Sequence, residues 1–174
     1  YRQEGGQWRF INNVKGFMAP IRQFEIDANG TIWAAHMNKG LYRIELNEIM
    51  DKAVSVRRIV SLDGTGKGSQ MHVMKVLGQI VFADGHKLYT TDYRNRIIPY
   101  ESLNGITESG VISSTQVDHA KFWLSTPKGY TLAERHNGRF RRLFYVPAAF
   151  FGMECGDNMN NVRVFDGTAY FCLN

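Results

Sequence analysis

The 174-residue chain is short of most features that announce a function. Although 44% of its residues are apolar, no run approaches the roughly 18 consecutive apolar residues that a membrane-spanning helix requires. The opening YRQEGGQWRF has neither the apolar stretch nor the cleavage site of a secretory signal. Because the chain begins and ends abruptly, it is expected to be a piece of something longer, and its silence about targeting carries little weight. Only two cysteines are present, Cys155 and Cys172. They are too few for a disulfide framework and lack the CxxC spacing of zinc or redox sites, so one disulfide and two unrelated buried thiols both stay open.

The vocabulary of catalysis is equally thin. There is no HExxH pair and no GxSxG elbow. The five histidines, His36, His72, His86, His119 and His136, fall in different segments without metal-ligand spacing and read as isolated loop or edge residues. DGTGKGSQ, residues 63–70, resembles a phosphate-binding loop only superficially, because Gly68 follows Lys67 where Ser or Thr belongs; it reads as a crossing between structural units. No catalytic residue, metal or cofactor is expected. The net charge of +5 is scattered, densest at Arg57-Arg58 and at Arg139, Arg141 and Arg142. These alternate with apolar residues, as on the solvated face of strands, and form no stripe for nucleic acid. Tolerance of anionic ligands is the most the charge implies.

What the chain does have is a repeat. Trp33 of NGTIW, Val81 of LGQIV, Trp123 of HAKFW and Tyr170 of DGTAY recur at intervals of 48, 42 and 47 residues. In the first full copy IRQFEID alternates apolar and polar positions, ANG supplies a turn, TIWAAH and GLYRIEL are two further strands, and VSVRRIV is a fourth. The second copy runs MHVMKVL, GQIVFAD, HKLYTTD and NRIIPY, and the third VISSTQVD, AKFWLST, GYTLAE and GRFRRLFY. Helical periodicity is confined to ELNEIMDKA, residues 45–53, which is expected to form at most one helical turn between strands.

Units of four short strands repeating every 40 to 50 residues are the signature of a β-propeller, in which each antiparallel blade covers its two faces by stacking on its neighbours. The expected fold is therefore all-β, with a part-blade at 1–16, blades at 17–62, 63–104 and 105–147, and a part-blade at 148–174. Since chain and repeat are out of phase at both ends, the expectation is a segment of a larger seven- or eight-bladed propeller. A ring completed by two copies and a closed four-bladed ring are the alternatives. Trp33 and its counterparts are expected to pack between blades. Asp27-Ala-Asn-Gly30 reads as a turn, since the further ligands of a calcium loop are missing.

The phrase I-x-x-x-x-I-D-A-N-G-T-I-W, continuing to N-K-G-L-Y-R, resembles the repeat of two-component regulator propellers, the periplasmic sensor regions of hybrid histidine kinases and related regulators. The likeness is close over residues 21–44, fair over 117–134 and 158–171, and weak over 70–92, where Val81 and Phe82 replace the usual Trp. It implies a periplasmic, non-catalytic sensing module of a dimeric inner-membrane receptor, completed by further blades of the parent chain. It also implies a response to an oligosaccharide, transmitted to a cytoplasmic kinase. A propeller enzyme of lyase or glycosidase type is the alternative, since acidic residues could pair across a central channel; an interaction scaffold is another, though the WD and GH signatures of the WD40 family are absent.

Propeller ligands usually meet the loops at one end of the channel. Those between second and third strands hold His36, Met37, Asn38 and Lys39 in one blade and Thr126, Pro127 and Lys128 in another. His36, Asn38, Lys39 and Lys128 are the candidate ligand-binding residues. Lys39 and Lys128 precede Gly40 and Gly129 in matching phrases, KGLYRIE and KGYTLAE, and are expected to approach each other around the channel and suit an anionic sugar.

Overall fold

Short runs of β-branched and aromatic residues broken by Gly, Asn and Asp turns leave the chain little choice but antiparallel hairpins. The computed structural model describes residues 2–64, 70–107, 109–151 and 161–172. A first hairpin pairs β1 (Arg2–Glu4) with β2 (Gln7–Arg9). Three four-stranded antiparallel meanders follow: β3 (Gln23–Ile26), β4 (Ile32–His36), β5 (Gly40–Leu46) and β6 (Ala53–Ile59); β7 (Met71–Val76), β8 (Gln79–Asp84), β9 (Lys87–Thr91) and β10 (Ile97–Pro99); β11 (Ser113–Gln116), β12 (Lys121–Thr126), β13 (Gly129–His136) and β14 (Arg139–Pro147). The hairpin of β15 (Asn161–Phe165) and β16 (Thr168–Cys172) completes the described chain.

The protein is all-β, as expected, with blade-like units in chain order. Residues 45–53 do not form a helical turn. Glu45 and Leu46 end β5, and Asn47 Oδ1 then accepts the N–H groups of Asp51 and Lys52 at 3.0 and 3.1 Å, which closes a tight turn with Met50 at φ 57°. An Asn side chain that takes over backbone donors in this way competes with helix. Residues 65–69 of the DGTGKGSQ segment and Cys155 lie outside the described residues, as does the side chain of Cys172.

Strand alternation gives each sheet two apolar faces. Trp33, Ala35 and Leu41 of the first sheet meet Val73, Phe82 and Tyr89 of the second, with the Trp33 and Phe82 rings 4.9 Å apart. Met74, Val76 and Val81 on the other face of the second sheet meet Phe122, Leu124 and Ala133 of the third. Trp123 and Tyr130 then pack on Val162 and Phe171. Trp33, Val81 and Trp123 thus all face the following sheet, as the repeat alignment requires. Where Val81 is too small to fill the gap, Tyr100, Leu103 and Ile106 from the β10–β11 connection join the same cluster. Tyr170, the fourth member, is 54% exposed, with no sheet beyond it among the described residues. Phe24 at the opposite end of the stack is 56% exposed, on the first sheet's outer face.

Asp27 ties the repeat's turn to its core. Its Oδ1 accepts the N–H groups of Asn29 and Thr31 at 2.9 and 3.0 Å, and its Oδ2 accepts the indole N–H of buried Trp33 at 3.0 Å. Asp27→Ala leaves that buried donor unpaired and is expected to cost about 1–3 kcal/mol; Trp33→Ala, which also opens a cavity, costs about 3–5 kcal/mol. Urea unfolding of Asp27→Ala, Trp33→Phe and the double variant checks the link. The double should be less destabilised than the two singles added together, by roughly 0.5 kcal/mol or more.

Candidate functional site

The first strands of the sheets, β3, β7, β11 and β15, run side by side as an inner row. Side chains bridge them at backbone carbonyls. Gln23 Nε2 donates to Ile112 O at 3.0 Å, Ser114 Oγ donates to Lys75 O, and Thr115 Oγ1 donates to Val162 O at 2.6 Å. Gln23 Oε1 lies 3.1 Å from His72 Nδ1. Since the Gln23 amide nitrogen is committed to Ile112, its oxygen accepts, and Nδ1 of His72 carries the proton.

At one end of this row a cleft of about 350 Å³ opens between the second and third sheets. Gln70 and His72 enter it from the start of β7, Gly85 and His86 from the β8–β9 turn, Ser109 and Gly110 from the approach to β11, and Pro127 and Lys128 from the β12–β13 turn. These are the kinds of connection in which propeller ligands are expected. The cleft is built on close backbone approaches. A Cβ on Gly110 would stand 2.3 Å from Gly85 O, so no other residue fits without moving the turn. Gly129, at φ 150°, runs so near β14 that a Cβ would stand 2.2 Å from Val146 O. Lys128 is held through its main chain: its carbonyl accepts from Ala148 N at 2.8 Å and from the Tyr145 hydroxyl at 2.8 Å, and its N–H donates to Thr126 Oγ1 at 3.2 Å.

The lining is rich in donors. It offers the Lys128 ammonium, the His86 imidazole, the Gln70 amide and the Ser109 hydroxyl, with Nε2 of His72 left as an acceptor, and no carboxylate belongs to it among the described residues. Ser109 Oγ is buried and makes no hydrogen bond among the described residues, an unmet demand that a ligand oxygen can satisfy. Just outside the lining, burial and the neighbouring Asp63 hold the Asp84 carboxyl above its ordinary range, with Lys87 opposing them.

Of the four residues singled out from sequence, Lys128 lines this cleft and the other three do not. His36, Asn38 and Lys39 sit at the β4–β5 turn of the first sheet, which lies behind the second sheet's wall of the cleft. His36 is 7% exposed, and its Nδ1 accepts the Asn38 N–H at 3.1 Å, so its ring shapes that turn. Lys39 and Lys128 hold equivalent places, each followed by a glycine pressed against the outer strand, but the cleft receives only the second. Sequence reasoning passed over Gln70, His72, His86 and Ser109. Gln70, His72 and Ser109 belong to the approaches and starts of first strands, and His86 to the second-to-third-strand turn of the second copy, the same kind of connection that supplied His36 and Lys128.

Farther along the same two strands, Glu25 of β3 faces Lys75 of β7 across 3.8 Å. Burial nevertheless wins over the lysine and raises the Glu25 carboxyl above its ordinary value of 4.5. A raised value in the folded state means that folding favours the protonated form. The penalty is absent well below pH 4.5, where folded and unfolded chains are both protonated, and it grows as pH climbs from there through the higher folded value. Glu25→Gln is therefore expected to raise the melting temperature at neutral pH and to have little effect in acid, which thermal unfolding across pH would reveal.

No family model, no curated protein and no solved structure matches the chain, so the reading of the site rests on its geometry and on the resemblance of its repeats.

Proposed function

We propose that the chain is a ligand-binding segment of a β-propeller, the extracytoplasmic sensing part of a two-component receptor, and that it takes an acidic oligosaccharide in the cleft at Lys128. The single observation that carries this reading is the donor-rich lining. A cation, the His86 imidazole, an amide and a buried hydroxyl that has no partner among the described residues converge where strand-one approaches and second-to-third-strand turns meet. Carbohydrate oxygens are acceptors as well as donors, and a uronic or sulfated unit adds the negative charge that Lys128 lacks a partner for in the lining. Binding there would touch two sheets and the inner row at once through His72 and Gln23, a route by which occupancy could bear on the stack.

The propeller itself is supported by the outer faces of the stack. On the first sheet Phe24, Ile32, Ile44 and Leu46 form, with Val14, Phe17 and Ile21, a nearly continuous apolar hollow. On the last hairpin Phe165 and Tyr170 pack edge to face at 6.2 Å and are largely exposed. In this reading both faces receive further blades of the parent chain. A blade stacked on the first sheet would bring Lys39, with His36 and Asn38 behind it, to the rim of a second cleft like the one at Lys128.

Isothermal titration with uronic and sulfated oligosaccharides tests the site. Lys128→Ala and His86→Ala are each expected to weaken binding by about tenfold, the loss of one charge-assisted hydrogen bond. Unchanged affinity in the double variant, with folding intact by circular dichroism, would remove the cleft from consideration.

A further inference from the structure

On the flank of the stack, away from the Lys128 cleft and sharing no lining residue with it, lies a second hollow of about 490 Å³ between the first and second sheets. Four arginines converge there from three different elements: Arg43 on β5, Arg57 on β6, and Arg94 and Arg96 on the β9–β10 turn. Like charges do not gather without a reason, and two of the four have one. Arg96 is doubly bound to Asp92, with Nε and a terminal nitrogen both 2.7 Å from Oδ2, and Arg43 reaches Glu45 at 2.6 Å. Arg57 and Arg94 have no carboxylate partner among the described residues. Asp63, which bonds Ser61 at the edge of the hollow, is turned to Lys87 at 3.4 Å, a lysine that also acts on Asp84. Within the lining itself the guanidiniums of Arg57 and Arg94 are left without a carboxylate among the described residues.

The setting is built rather than incidental. Asp92 Oδ1 accepts the N–H groups of Arg94 and Arg96, both at 2.9 Å, and Asn95 sits at φ 57°. This fixed turn presents its three residues to the hollow. The Arg94 guanidinium stacks on Tyr93 at 5.2 Å, and that of Arg43 lies 5.8 Å from the Trp33 ring centroid. Arg43 Nε is buried and makes no hydrogen bond among the described residues. A buried guanidinium donor without an acceptor is costly to leave unmade, and an incoming oxygen would satisfy it.

We propose that this hollow binds a doubly charged tetrahedral oxyanion, a sulfate or phosphate ester group, held by Arg57 and Arg94 and completed by Arg43. Planar guanidinium forks match such a group with paired hydrogen bonds, which ammonium groups do not. A dianion balances these two guanidiniums, whereas a carboxylate balances one. The Trp33 edge, Leu62 and Ile97 supply an apolar floor for the carbon skeleton that carries the ester.

Titration of the chain with a 6-sulfated hexose, a 6-phosphorylated hexose and glucuronate, at constant ionic strength, tests the assignment. One or both esters should bind, the tighter identifying the source, and glucuronate at least about tenfold more weakly. Arg57→Gln with Arg94→Gln, both exposed changes that spare the core, should weaken ester binding by about a hundredfold. Arg139→Gln with Arg142→Gln removes the same charge elsewhere and should change it little, as should Lys128→Ala. Equal losses in the two arginine pairs, glucuronate binding as tightly as the esters, ester affinity abolished by Lys128→Ala, or no ester binding at all would each overturn the proposal.

Discussion

Each four-stranded sheet in this chain carries apolar side chains on both faces, and the need to cover both determines where the large buried residues go. A single-layer meander would leave Trp33, Phe82, Phe122 and Trp123 in water; burying a side chain of this size contributes roughly 1.5–3 kcal/mol or more. Stacking the sheets along the chain meets the need repeatedly with one local solution. An odd position of the second strand faces forward and its neighbour faces back, so Val81 and Phe82 serve different interfaces although they are adjacent in sequence. Both clefts lie where the stacked faces give way to the inner row, the turns and the flanks.

Much of this architecture was legible before any coordinates. The DANGTIW phrase encodes its own turn through one Asp, and period-two alternation marks the strands because side-chain direction in a strand depends only on residue parity. The weak second copy was harder to interpret. Nothing local reveals that the space left by Val81 is taken by Tyr100, Leu103 and Ile106, because the wedge comes from a connection with no periodicity and its fit is a property of three elements together. For the same reason residues 45–53 look helical in isolation: the competing bonds from Asn47 need the return of the chain at Asp51 and Lys52.

The candidate site was legible only at Lys128. Equivalent position in a repeat told where a lysine sits on its own sheet, and so paired it with Lys39. It could not tell which neighbouring sheet supplies the opposite wall. His72, His86 and Ser109 come from segments up to 37 residues apart that meet through the stacking of two sheets. The arginines behave likewise. Arg57 and Arg58 read as one basic pair on a solvated strand, yet strand parity sends them to opposite faces: Arg57 lines the hollow, whereas Arg58 donates to Lys39 O at 2.8 Å.

The links along the inner row have an asymmetry of their own. In each of three, a side-chain donor of one sheet's first strand meets a main-chain carbonyl of another sheet: Gln23 with Ile112, Ser114 with Lys75, Thr115 with Val162. A carbonyl is present whatever residue bears it. Half of every link is therefore indifferent to mutation, and only the donor must be retained. Successive copies of the repeat can differ in sequence at the acceptor positions Lys75, Ile112 and Val162 while their mutual spacing is preserved, and the second copy, with Val81 in place of tryptophan, still receives its link through the main chain of Lys75.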